Sequence, residues 1–200
     1  MRLKPIGLSV LLISLALGVS LRSIARAEQA PIETSIESQN ATVDKDKSLH
    51  VDVTAHINAP ADKVYDALTH PDKVAQYDAN ITEIKVVAHD AQGETVEYKG
   101  QTVPIPNAPP SFRVQYSFDP AARSVSAQNA GKSLIQFHNH TELKPSKDGK
   151  GTDLHYTGVS SYPGTIMGFD PPQSMRTLSA VHAFLRNMHN VGMYIEKGGG

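Results

Sequence analysis

The sequence predicts an α+β domain: a curved antiparallel sheet gripping one long carboxy-terminal helix. Three observations predict it. Residues 49–57 alternate apolar and polar side chains without a break, about six further strand-like runs follow between polar turns, and one long helical period ends the chain. Strands in succession with helices before and after them pack as an antiparallel sheet with its helices on one side.

Each element has its own signal. In Leu49 to Ile57, every odd position is apolar and every even one polar, the mark of a half-buried strand. Asn58-Ala59-Pro60 stops it, with Asn58 a cap near a helix start and Pro60 in the first turn. A short helix through Val64, Tyr65 and Leu68 follows, His70-Pro71 breaks it, and Asp72 to Tyr77 forms a second. Ile81 to Ala88, Glu94 to Val103, Ser111 to Phe118, Ser124 to Gln128, Ser133 to Leu143 and Thr152 to Ser160 read as strands. The last two are joined by the polar turn at 144–151, as in an antiparallel hairpin. From about Gln173 to Glu196 a helix places Leu178, Val181, Phe184, Leu185, Met188, Val191 and Ile195 within one arc of about 140°. His182 and His189 sit beside that arc.

The amino end carries a different message. Met1 to Lys4 is basic, Leu8 to Leu21 is apolar, and Ala25-Arg26-Ala27 has the small-x-small pattern of a processing site. The apolar run is shorter than the about 20 residues that a spanning helix needs. Residues 1–27 therefore read as a cleavable export signal, placing the mature chain in the periplasm or outside the cell. Residues 28–47 are polar, aperiodic and contain Pro31, so they read as a flexible lead-in to one domain at 48–197.

Composition excludes several classes. The whole chain has 19 Lys and Arg against 20 Asp and Glu, and the signal alone carries four of the basic residues, so the remainder is acidic. Nucleic-acid binding rests on basic side chains at phosphates, so no nucleic-acid partner is expected. The chain has no cysteine, hence no disulfide and no lipid anchor on cysteine. Gly131-Lys132-Ser133 lacks both the earlier glycine and the following helix of a phosphate-binding loop. No dinucleotide or hydrolase fingerprint is present. No cofactor is called for.

The alternation sends Val51, Val53, Ala55, Val96, Tyr98, Phe112, Val114, Tyr116, Phe118, Ile135, Phe137, Asn139, Thr141, Leu143, Leu154 and Tyr156 to the concave face of the sheet. Most of these are core. Tyr98, Tyr116, Asn139, Thr141 and Tyr156 are the polar exceptions, and a few convergent polar groups in an apolar cavity orient a ligand. His182 and Leu185 are the helix residues expected to join them, and His182 is the one weak candidate for a general acid or base. Nine histidines raise the question of a metal. His138 and His140 share a strand face and His155 is on the returning strand, but that face is the convex one, so a solvated surface is the better reading and no metal is expected.

The strand ending in Ile57-Asn58-Ala59-Pro60, the helix carrying Val64, Tyr65 and Leu68, the break at His70-Pro71 followed by Tyr77 and Ile81, the strand pair around Gly151 to Tyr156 and the long last helix occur in this order. On these features the chain resembles the START-like, or Bet v 1-like, superfamily, which includes the polyketide cyclase/dehydrase and lipid-transport proteins. The resemblance covers about Leu49 to Glu196 and implies a helix-grip fold with a cavity between sheet and helix. It implies a hydrophobic small-molecule partner such as a lipid, quinone or polyketide, with a transient membrane contact compatible with that role. It carries over no catalytic residue, because the superfamily has no universal triad. Three readings follow: a carrier, a cyclase- or dehydratase-type enzyme using the same cavity, and a non-catalytic interaction module. The carrier reading ranks first, and the loop at 161–173 is where a cavity mouth is expected.

Overall fold

The computed structural model describes residues 31–100, 111–131, 135–161 and 172–199. The export signal, the proline-rich connection at 103–110 and most of the expected mouth loop lie outside these residues.

The chain forms strand β1 (Thr34–Val43), strand β2 (Leu49–Ile57), helices α1 (Ala61–Leu68) and α2 (Pro71–Val74), and a 3-10 turn at Ala75–Tyr77. Strands β3 (Ile81–Asp90), β4 (Gly93–Gly100), β5 (Ser111–Asp119), β6 (Ser124–Asn129), β7 (Gln136–Pro145) and β8 (Thr152–Ser161) follow, and helix α3 (Gln173–Glu196) closes the fold. The eight strands make one antiparallel sheet in the order β1-β2-β8-β7-β6-β5-β4-β3. From β3 to β8 each strand pairs with the next in sequence, and β8 returns to lie against β2.

Alternation decides which face is buried. Val53, Ala55 and Ile57 are fully buried and pack with Val64 and Ala67 of α1, Leu143 and Leu154 of the β7–β8 hairpin, and Phe184, Met188, Val191 and Ile195 of α3. A second, smaller cluster of Val96, Tyr98, Val114 and Ala127 lies on β4 to β6. No residue of α3 belongs to it, so the helix seals one end of the concave face and leaves the other end more open.

Three expectations need correction. The lead-in at 28–47 is not uniformly flexible, because Thr34–Val43 is strand β1, paired with β2 along its length. An edge strand with one wet face needs no strong apolar run, and only Ile36, Ala41 and Val43 of β1 pack on the core. Asn58 does not cap α1; Pro60 stands at that position without a side-chain hydrogen bond. The Asn58 Oδ1 accepts the Glu33 N–H at 2.6 Å and its Nδ2 donates to the Pro31 carbonyl at 3.1 Å, stitching the segment before β1 to the end of β2. Leu178 is 64% exposed, because α3 lies on the sheet mainly through its second half.

One buried bond holds the sheet to the start of α1. Thr152 is fully buried, and its hydroxyl donates to the Ala59 carbonyl at 2.6 Å. Thr152→Val keeps the shape and removes the donor, leaving a buried carbonyl unpaired. The expected loss is about 1–3 kcal/mol in urea unfolding; an unchanged midpoint would show that the bond contributes nothing.

Candidate functional site

Between the sheet and α3 lies a cavity of about 540 Å³, within the range of small-molecule sites. The sheet supplies Tyr98, Phe112, Val114, Tyr116, Val125, Ala127, Phe137, Asn139, Thr141 and Tyr156. The region of α2 and the turn after it supplies Pro71, Val74 and Asp78. From α3 come Arg176, Ser179, Ala180, Ala183, Asn187 and Asn190 among others. These recur every three or four residues, so they form a helical stripe beside the one that packs on the core.

The polar groups on the wall are few and specific. The Tyr98 and Tyr116 hydroxyls are hydrogen-bonded to each other at 2.9 Å. Burial pushes the Tyr98 phenol far above its ordinary range; burial also lifts Tyr116, to about 12, against the lowering effect of its bond to Tyr98. Both phenols therefore keep their protons near neutral pH. One O–H is used inside the pair and the other is left to donate to an oxygen of a ligand. Tyr156 is likewise raised by burial, opposed by its hydrogen bond with Asn139, and its ring packs against Phe184 at 5.1 Å.

Charge on the wall is compensated. The Asp78 carboxylate, 9% exposed, lies 3.3 Å from the Arg186 guanidinium and also accepts the Asn80 N–H at 2.9 Å. A buried carboxylate needs such partners. The Asn190 amide is 4% exposed and lines the cavity. The site is thus a largely apolar chamber with hydroxyl and amide groups, the Asp78–Arg186 ion pair and the Arg176 side chain on its wall, suited to holding an apolar molecule that carries a hydrogen-bonding oxygen.

The structure brings five of the seven expected residues to the cavity: Tyr98, Tyr116, Asn139, Thr141 and Tyr156. Two expectations are corrected. His182 is exposed and does not line the cavity. Leu185 is half-buried and packs on the main core, not on the cavity. Centring the helix on its apolar arc implied that this arc faces the ligand. Instead Val191 and Ile195 fill the core, Phe184 and Met188 touch both core and cavity, and most other cavity-facing residues of the helix are small or polar. Sequence reasoning therefore missed Asp78, Arg186 and Asn190. The signal available was a run of polar residues at helical spacing beside the apolar stripe. His138, His140 and His155 do not gather at one point: His140 bonds Ser126 and approaches Glu142, while His155 bonds Asp52.

Near this wall sits a carboxyl whose burial has a pH consequence. The Glu94 side chain, 10% exposed, stands opposite Tyr116 in the sheet, and its Oε1 is buried without a partner among the described residues. Burial, and next the charge of Asp72, raise its pKa above the ordinary carboxylate value. With the folded pKa above the unfolded one, ionisation opposes folding. That cost is absent below the unfolded pKa, grows as pH rises through the folded pKa, and is then fully present. Glu94→Gln is therefore expected to raise the thermal midpoint at neutral pH, with the gain shrinking toward about pH 4. A variant less stable than the parent at neutral pH would contradict this.

A family model described as polyketide cyclase / dehydrase and lipid transport matches residues 48–190. The chain belongs to this family. As a member it is a hydrophobic-ligand-binding protein of the helix-grip kind. Its fold is that of the Zhui aromatase/cyclase from Streptomyces sp. R1128, with a TM-score of 0.57 at 16% identity over 76% of this chain and 98% of that one. It is also that of TTHA0849 from Thermus thermophilus, with a TM-score of 0.53 at 14% identity over 74% of this chain and 94% of that one. At these identities the likeness concerns the fold alone. A search of curated proteins finds no match.

Proposed function

We propose that this family member is an exported carrier that holds a hydrophobic small molecule, of lipid, quinone or polyketide kind, between the sheet and α3. The observation that carries the reading is the chamber of about 540 Å³, walled mostly by aromatic and aliphatic side chains with a few hydrogen-bonding and charged groups among them. The amino-terminal pattern of basic, apolar and small residues supports export. The enzyme alternative rested on His182 as acid or base, and that side chain is exposed outside the cavity. Native mass spectrometry of the gently purified protein should show a co-purified apolar molecule released on denaturation, and fractionation should recover a chain cleaved after Ala27. A chain that remains ligand-free with every hydrophobic probe offered would defeat the carrier reading. Retention of residues 1–27 in the cytoplasm would defeat export.

Loading and release by a carrier involve a membrane, and α3 offers a contact for one. Met175 (51% exposed) lines the cavity, and Leu178 (64% exposed) lies one turn further along the helix. Paired Met175→Ser and Leu178→Ser substitutions should weaken co-sedimentation with phospholipid vesicles several-fold and leave the thermal midpoint nearly unchanged, since surface changes are usually worth within about 0.5 kcal/mol. Undiminished vesicle binding would remove this contact from the reading.

A further inference from the structure

We propose that Glu37, His56 and Asp153 form a binding site for a divalent transition metal of the zinc class, which ties the edge strand β1 to the sheet. The three residues come from three adjacent strands. His56 on β2 stands directly opposite Asp153 on β8. On the other side of β2, the register jumps from Ile36↔Ala55 to Ser38↔Thr54, so Glu37 is the extra residue of a bulge in β1. The bulge brings its carboxylate to the His56–Asp153 pair.

The distances suit shared coordination. The His56 Nδ1 and Asp153 Oδ1 are 2.9 Å apart, and one ligand atom from each of the three residues lies within 4.8 Å of the others. Ligands at about 2.0–2.2 Å from a tetrahedral metal stand about 3.3–3.6 Å from their neighbours. The histidine and Asp153, now hydrogen-bonded, need part by only about half an ångström to reach that spacing, and Glu37 is an exposed side chain able to close the remainder. The imidazole is held in place by Gly151: a Cβ there would lie 2.4 Å from its Cε1 and 2.5 Å from its Nε2, so the ring occupies the space that a side chain would fill.

The donor set chooses the ion. Two carboxylates neutralise a dication, and the imidazole favours zinc, nickel or copper over calcium or magnesium, which prefer oxygen alone. Partial exposure leaves the remaining coordination positions to water. Among the described residues no other trio of histidines and acids has ligand atoms this close. The His50–Asp44, His140–Glu142 and His155–Asp52 pairs on the same sheet each lack a third member at that spacing. The consequence is structural: an ion bridging β1, β2 and β8 adds a direct tie between the amino-terminal strand and β8, with which it shares no ladder.

Titrating zinc chloride into the purified, chelator-stripped protein by calorimetry tests this, with cobalt absorbance reporting the ligand field. One equivalent should bind, with affinity falling at least tenfold in both Glu37→Gln and His56→Gln and holding in His155→Gln. Bound zinc should also slow amide exchange across residues 34–43. No stoichiometric uptake, or equal uptake by the parent and both site variants, would overturn the proposal. Loss in His56→Gln alone would overturn the three-strand tie, because Glu37 would then be no ligand. Glu37 is exposed, so its variant reads out the site without a question of folding.

Discussion

Gly93→Ala is expected to destabilise the domain by about 3–4 kcal/mol, more than the usual overpacking penalty. A Cβ at Gly93 would stand 1.9 Å from the Tyr116 carbonyl oxygen, 2.8 Å from its carbonyl carbon and 3.0 Å from the Ser117 Cα. All three are backbone, so no side chain can swing away. Relief requires β4 and β5 to separate at the start of their ladder. That ladder aligns Glu94 with Tyr116, Val96 with Val114 and Tyr98 with Phe112, so the same change disturbs the cavity wall. Urea unfolding with Gly149→Ala as the comparison isolates the cause. Gly149 has a φ of +70° and open space around its Cβ position, so its substitution carries only the left-handed backbone penalty of about 1–2 kcal/mol. Equal losses at the two positions would show that the close approach at Gly93 does not matter.

The second large effect is on the ligand. Ala127→Trp should reduce the affinity for a hydrophobic probe such as 1-anilinonaphthalene-8-sulfonate at least tenfold while leaving the fold intact. Ala127 lies on β6, is 7% exposed and lines the cavity, so an indole there grows into existing space. In a close-packed core the same insertion would force off-rotamer side chains and cost about 1–3 kcal/mol or more. The chain has no tryptophan, so the new indole is also the sole reporter. Blue-shifted emission at an unchanged unfolding midpoint would show the ring seated in the chamber. Undiminished probe binding would place the probe elsewhere, and a collapse in stability would show that the space is not available.

The fold was largely legible because its signals are local and periodic. Val51, Val53, Ala55 and Ile57 announce a half-buried strand by parity alone, and the apolar arc of α3 announces its packing. Strand β1 was not legible. Its Ser, Gln, Asn and Thr residues resemble a linker, and only pairing with β2 makes it a strand. The cavity was half legible. Parity placed Tyr98, Tyr116, Asn139, Thr141 and Tyr156 on the concave wall, since a strand has only two faces. A helix has no such binary choice, so a modest rotation of α3 moved His182 and Leu185 off the site and brought Arg186 and Asn190 onto it. The meeting of Glu37 with His56 and Asp153 depends on one bulge, which single-sequence patterning does not reveal.

The two ends of the strand order have a consequence for the protein in a crowded compartment. Strands β1 and β3 close the series without a further strand neighbour among the described residues, so each offers a row of backbone groups that no strand ladder uses. Such rows are templates for strand addition and fibril growth. Both rows are interrupted: β1 by its bulge between Ile36 and Ser38, and β3 between Ile81 and Glu83 and again between Val86 and Ala88. β3 also exposes Glu83 and Lys85. A second molecule laid along either margin could stay in register for only a few residues before the spacing of donors and acceptors slips. The irregularities that shape the rim of the sheet thereby keep neighbouring copies from growing onto one another.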